Sequence, residues 1–377
     1  MNNDNSVHSY IDQLTWLRGI AAFFVIVSHS MRATEAQYSD SDEVSDIFLV
    51  SLFDLGSFGV MLFFVLSGCT LYISNANKMN YSNVYSFYVK RFFRIWPAFA
   101  VSIFFYICFR PVFDKFYTES QGVWIESQFL SSYSFSDIIS YLTLTFNISG
   151  TKGLFNNAYW SLPVEFQYYL IFPIIIVSIR YMGLWGPVFI GAILFLLPKF
   201  NLVGFDSNFV FSVAYSFCGG MLIGHLYLKS SYRMGSCTGI ILAVLIMLLA
   251  RSLGRWVELP DVPVLSDVWN WHVINSIVLV YLVLITKFDI PGHVASFLKH
   301  YGTVSYSTYL YHNLFVAIAV LFIVNFEIND GDLKLLLTLL FTLFATYLVS
   351  IVSYKYVEKP FVAIGRRVAN KKFQINP

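Results

Sequence analysis

The stretch Leu14-Thr15-Trp16-Leu17-Arg18-Gly19-Ile20-Ala21-Ala22-Phe23-Phe24-Val25-Ile26-Val27-Ser28-His29-Ser30-Met31 is apolar over the length of a membrane helix, apart from Arg18 and His29. Eleven steps of about 100° separate the two residues, three turns plus about 20°, so both lie on one face about 16 Å apart along the axis. Ionisable side chains inside a membrane helix are costly to bury; they face a bundle interior or a wet cavity and mark functional sites. The alternative is that Arg18 snorkels to one surface while His29 sits at the opposite interface.

The rest of the chain agrees with a membrane setting. Its 377 residues are 57% hydrophobic, 19% aromatic and only 12% charged, and mean hydropathy is +0.64; soluble domains carry about 25% charged residues. The alternating pattern of a membrane barrel is absent, so the fold class is an all-α integral membrane protein. Ten spans can be drawn: Leu14–Met31, Ile47–Ile73, Phe93–Phe109, Trp160–Ile179, Leu184–Leu197, Phe209–Leu228, Gly239–Ala250, Trp269–Ile285, Val304–Asn325 and Leu335–Tyr356. The net charge of +2 gives no reason to expect a nucleic-acid partner. Cys69, Cys108, Cys218 and Cys237 are scattered and imply neither a disulfide framework nor a CxxC metal pair. No internal repeat is visible, which weakens an inverted-repeat transporter.

Charge sets the expected orientation. One side carries fifteen basic residues, from Lys78, Lys90, Arg91 and Arg94 to Lys371 and Lys372, and the other only eight. That second side also holds most of the acids, among them Asp40, Asp42, Glu43, Asp46, Glu258, Asp261, Asp267, Glu327, Asp330 and Asp332. By the positive-inside rule both termini lie in the cytoplasm. The whole chain, 1–377, reads as one membrane domain, with a cytoplasmic leader at 1–13, a long outward loop at 111–159 and a basic cytoplasmic tail at 357–377. The leader holds Asp4 and Asp12 but no Lys or Arg, so it does not read as a cleaved signal.

Several polar positions point to chemistry. Trp160-Ser161-Leu162-Pro163-Val164-Glu165 opens the fourth span, with Ser161 as expected N-cap and Pro163 in the first turn. Glu165 then lies at a depth similar to His29 and either orients that imidazole as a general base or complements a helix dipole. Arg91 and Arg94, three residues apart at the inner end of the third span, could clamp phosphates or anchor topology and bind headgroups. Ser67 and Gly68 lie in a small-residue segment suited to close helix contact. Ser305, Tyr309 and His312 form a polar stripe on the ninth span. His225 and His272 stand alone and read as structural or interfacial.

These residues occur as ordered motifs. Leu17-Arg18-Gly19-Ile20-Ala21-Ala22 precedes Ser28-His29; then come Phe63-Phe64-Val65-Leu66-Ser67-Gly68, Lys90-Arg91-Phe92-Phe93-Arg94-Ile95-Trp96-Pro97 and Trp160-Ser161-Leu162-Pro163-Val164-Glu165. Ser305-Tyr306-Ser307-Thr308-Tyr309-Leu310-Tyr311-His312 and Val357-Glu358-Lys359-Pro360-Phe361 close the series. In that order the chain resembles the integral-membrane acyltransferase-3 family over nearly its whole length. It departs at Pro163, where the family more often has serine or another small residue, and resembles the stand-alone form of the family.

The resemblance implies O-acylation, usually acetylation, of an envelope polysaccharide, a lipid-linked glycan or a related acceptor in a bacterial inner membrane. Acetyl-CoA or another acyl-CoA is then a cytoplasmic co-substrate, with no bound cofactor. Arg18, His29, Arg91 and Arg94 are the functional residues it carries over. On this reading Arg91 and Arg94 hold the CoA phosphates, Arg18 lines the donor entrance, and His29 is the base or a transient acyl carrier, oriented by Glu165. Ser67, Tyr309 and His312 are candidate pocket residues, Ser67 and Tyr309 as oxyanion donors. No metal is expected, because no HExxH-like spacing occurs. Two other readings compete: a non-enzymatic transporter or flippase using the intramembrane charges, and a haem protein ligated by His29 and His312.

Overall fold

The computed structural model describes residues 3–34, 52–76, 81–118, 122–150, 153–197, 211, 213–253, 257, 259–260, 266–326, 328 and 330–371. Asp40, Asp42, Glu43, Asp46, Lys78, Glu258, Asp261, Glu327 and Lys372 lie outside the described residues, as does the 47–51 start of the second expected span.

Helices dominate. In chain order they are α1 (Asn3–Ala33), α2 (Gly56–Asn75), α3 (Tyr81–Phe116), α4 (Phe135–Leu142), α5 (Ser161–Met182), α6 (Trp185–Leu196), α7 (Ala214–Lys229), α8 (Ser236–Ser252), α9 (Val268–Ile285), α10 (Gly292–Thr303), α11 (Ser305–Asn325), α12 (Gly331–Ser353) and α13 (Lys359–Lys371). Each of the ten expected spans carries one of them. Among the described residues seven helical stretches are long and apolar enough to cross a membrane: α1, α2, α3, α5, α9, α11 and the continuous run from α12 into α13. The helices α6 and α8 are shorter apolar ones, and α7 has 16 residues.

Two expectations about the ends of helices change. The loop expected from residue 111 begins later, because α3 runs on through Pro111 to Phe116; in a bilayer, proline inside a helix is tolerated where neighbours satisfy the freed carbonyl. The described part of the basic tail is helical too, through Lys371. Tyr354–Glu358 forms a wide π-helical turn that joins α12 to α13. Pro360 has no N–H for the carbonyl four residues back, and the wide turn accommodates that break.

Contacts divide the chain into two compact units. The first comprises Met1–Val25, Leu52–Met79 and Ile171–Thr303; the second comprises Ile26–Ser51, Asn80–Leu170 and Val304–Pro377. In the first unit α2 packs on α7 through glycines. A Cβ at Gly68 would lie 2.1 Å from the Phe217 carbonyl oxygen, and one at Gly220 would lie 2.1 Å from that of Val65. The small-residue segment of α2 therefore serves close helix approach, as its composition suggested. Around that contact Leu62, Val65, Leu66, Ile223, Leu279 and Val283 form an apolar core. In the second unit α11 is the most enclosed long helix, with 78% of its apolar window buried. It packs against α12 and α3, while α13 lies along α3 with Gly365 on Phe93. Phe341, Phe344, Leu348 and Val352 of α12 stay exposed, as expected of a face turned to lipid.

Candidate active site

In the second unit the outer part of α1 delivers His29 to the middle of α11. His29 Nδ1 lies 2.7 Å from His312 Nε2, and the rings are nearly parallel at 5°. His312 Nδ1 lies 2.8 Å from the carbonyl oxygen of Tyr309. A carbonyl only accepts, so in the neutral pair His312 carries its proton on Nδ1 and accepts from His29 Nδ1–H at Nε2. The chain of bonds leaves His29 with its lone pair on Nε2. His29 is 8% exposed and His312 fully buried, so the open nitrogen belongs to the ring that retains some access.

This pair bears on two of the readings. The His29 ring bonds to His312, a residue the sequence set on a polar stripe of the ninth span. The 2.7 Å separation is a hydrogen bond; an iron between the two nitrogens would need about 4 Å, so the haem reading does not fit.

The surroundings are held by amides and phenols. Asn156, 1% exposed, adopts extended backbone and caps the turn Asn157–Trp160, its Oδ1 accepting from Ala158 N at 2.8 Å. The same oxygen accepts from Asn313 Nδ2 at 2.7 Å, and Asn156 Nδ2 donates to Leu310 O at 3.1 Å. Phe155, just before it, has φ of +62°, a left-handed backbone that costs a non-glycine residue roughly 1 kcal/mol or more. Asn156, rather than Ser161, is therefore the N-cap. Ser161 is already helical, and its hydroxyl meets the Tyr309 hydroxyl at 2.8 Å. Tyr309 donates its proton to the Ala158 carbonyl at 2.6 Å. That proton ties α11 to the turn and is not free for an oxyanion.

Glu165 accepts a short hydrogen bond from Tyr169, one turn on. Tyr169 also stands 5.8 Å from the Arg91 guanidinium, which lies 5.6 Å from the Phe87 ring as well. Arg91 thus meets two aromatic rings, and its Nε, buried, has no hydrogen-bond partner. Arg94 has a different environment. Its Nη1 pairs with Glu358 Oε2 at 3.2 Å, and its guanidinium lies 5.9 Å from the Tyr306 ring. Glu358 has no exposed side-chain surface and accepts a further bond from Ser307, which also meets Ser353. Sequence reasoning left Glu358 without a role, although it stands in the last of the ordered motifs, Val357-Glu358-Lys359-Pro360-Phe361.

The ion pair makes a stability prediction. Removing Arg94 strands a buried carboxylate, whereas Glu358→Gln keeps a hydrogen-bonding group without charge. Breaking a buried pair costs about 3–5 kcal/mol, less here because Arg94 is about a third exposed. Arg94→Ala is expected to lower the melting temperature in detergent by several degrees, and Glu358→Gln added to it should restore most of that loss. Additive losses in the double-mutant cycle would dissolve the coupling.

Arg18 and Ser67 lie in the first unit. Arg18 Nη2 donates to Thr70 Oγ1 at 2.8 Å, and Ser67 is buried on α2 beside the Gly68 contact. His225, which reads as solitary in the sequence, meets the Tyr72 hydroxyl at 2.6 Å. His272 packs edge-on to Phe58 at 6.1 Å. Among the described residues no group of three or more His, Cys, Asp or Glu is arranged to hold a metal ion.

A family model described as an acyltransferase domain matches residues 11–355. No curated protein and no solved structure matches the chain.

Proposed function

The chain belongs to the acyltransferase-3 family and is a membrane acyltransferase, and on that premise we propose that it moves an acetyl group from cytoplasmic acetyl-CoA to a hydroxyl of an envelope glycan or lipid-linked glycan. The setting is a bacterial inner membrane, crossed ten times with both termini inside. The observation that carries the chemistry is the bond sequence Tyr309 O, His312, His29, which leaves an unprotonated Nε2 on a ring with restricted access.

His29 Nε2 takes the proton of the acceptor hydroxyl as the oxygen attacks the thioester carbonyl. The new C–O bond forms, the C–S bond breaks, and the imidazolium returns the proton to the departing thiolate. His312 holds the His29 tautomer and shares the transient charge through the hydrogen bond. This assigns to His312 the orienting role that Glu165 has in the sequence-based reading; Glu165 instead supports Tyr169 and, through it, Arg91. Arg91 and Arg94 supply cationic charge at the inner end of α3 for the CoA phosphates.

Sealed vesicles test the assignment. With acetyl-CoA trapped inside right-side-out vesicles, label should reach an external glycan acceptor. External acetyl-CoA should support little transfer. Robust transfer from external donor in sealed vesicles would overturn the inward donor site, and no transfer from either side would overturn the acetyl assignment.

A further inference from the structure

Within the first unit, α6 and α9 both pack on α7, and an open groove of about 340 Å³ is lined by all three helices. Gly191 and Gly219 leave part of its wall without side chains. Its polarity is ordered along its length. At one end the last turn of α6 meets the first turns of α7 and α9. There the Tyr215 hydroxyl donates to Asn270 Oδ1, and the Phe195 ring packs edge-on to Tyr215 at 5.3 Å. Trp269 and Trp271 flank Asn270 in the chain, and tryptophan and tyrosine collect at the membrane–water boundary. Away from that end the lining is aliphatic, with Val188 on α6, Leu222 on α7 and Ile274 on α9. Val188 and Ile274 are also exposed, together with Phe189, Ile193 and Val278 beside them, so the groove opens on a surface turned to lipid.

Its size selects the occupant. Pro187 and Phe195, both in the lining, are eight residues apart on α6, about 12 Å. One leaflet of hydrocarbon is about 15 Å thick. The volume holds about eleven groups of about 30 Å³, the share of a water molecule in the liquid and close to that of a methylene. A helix from a second copy, about 10 Å across, is too wide for it. Lipid tails are as apolar as the side chains, so selective binding in a bilayer rests on packing. Walls that face a gap forgo dispersion contacts, and a flexible chain restores them.

We propose that this groove binds one acyl chain of a membrane phospholipid, with the ester and headgroup at the Tyr215–Asn270 end and the methylenes between α6 and α9. The chain joins those two helices as a core side chain would, so bound lipid stabilises the first unit. The site is separate from the histidine pair and does not depend on the acetyl-transfer reading.

Native mass spectrometry of protein extracted in mild detergent tests it. Wild-type protein should retain one phospholipid per chain, identified by the fragment masses of its acyl chains. Ala192→Trp and Ile274→Trp each put an indole into the groove, from different helices, and each should lose the lipid. Phe189→Trp, on α6 but outside the lining, should keep it. Phospholipid added back to delipidated protein should raise the melting temperature of wild type and Phe189→Trp, and leave the groove variants unmoved. Retention by a folded groove variant would overturn the site, as would a wild-type protein that keeps no lipid. An isoprenoid in place of a phospholipid, or a second chain lost on the same substitutions, would overturn it by giving the groove another occupant. Because the two indoles enter from separate helices, misfolding of one variant leaves the other to decide. The wild-type titration stands by itself: no rise in melting temperature would overturn the site.

Discussion

His29→Ala is expected to abolish acetyl transfer, by about 10²–10⁴ in rate, the usual cost of removing a general base. The substitution removes the nitrogen left open by the hydrogen bond to His312 and leaves Arg91, Arg94 and their rings untouched. Donor affinity should therefore stay within about threefold of wild type, because no group assigned to the CoA phosphates changes. His29→Gln separates chemistry from structure. Glutamine can still donate to His312 Nε2 but offers no basic nitrogen, so it should restore folding and not turnover. Transfer rates per folded molecule, with thermal unfolding in detergent as control, make the measurement. More than about a tenth of wild-type turnover in either variant would remove His29 from the reaction.

His312→Phe is expected to have the next largest effect, about 10²–10³ in rate with little change in donor affinity. Loss of the carboxylate that fixes the tautomer of a catalytic imidazole costs about 10⁴; the cost here is smaller because a neutral histidine does not stabilise the imidazolium as a carboxylate does. Phenylalanine preserves a ring in the interior of α11 but accepts nothing from His29 Nδ1–H, so the proton on His29 is free to move to Nε2 and block the base. His312→Gln offers an amide oxygen in place of the lost nitrogen and should recover part of the rate. Equal turnover in the Phe and Gln variants, both near wild type, would reduce His312 to packing. Equal and severe loss in both, with unfolding at lower temperature, would assign it to the fold.

The membrane class, the helices and the polar positions were legible along the chain. Apolar runs of bilayer length and ionisable residues within them are one-dimensional signals, and each drawn span carries a helix. The small residues of α2 also announced their use, since Gly68 meets the backbone of α7. Ordered motifs were enough to suggest the family that the match over residues 11–355 shows.

Partners were not legible. Glu165 was weighed as a partner of His29, beside a helix-dipole role, because both can be placed at a similar depth by counting residues from the membrane boundary. Depth is one coordinate. The direction a side chain takes around its helix, and the helix that stands opposite, come from packing. That packing pairs His29 with His312, 283 residues away, and Arg94 with Glu358, 264 residues away. The helix start at Asn156 was missed for a related reason: a cap is chosen by backbone geometry and by competing bonds, and Ser161 is drawn to Tyr309 instead. The sequence by itself determined which residues are costly to bury in a membrane and so are candidates for function. Only the tertiary structure decided which of them meet, because hydrogen bonds reach about 3 Å and only packed helices bring residues hundreds of positions apart that close.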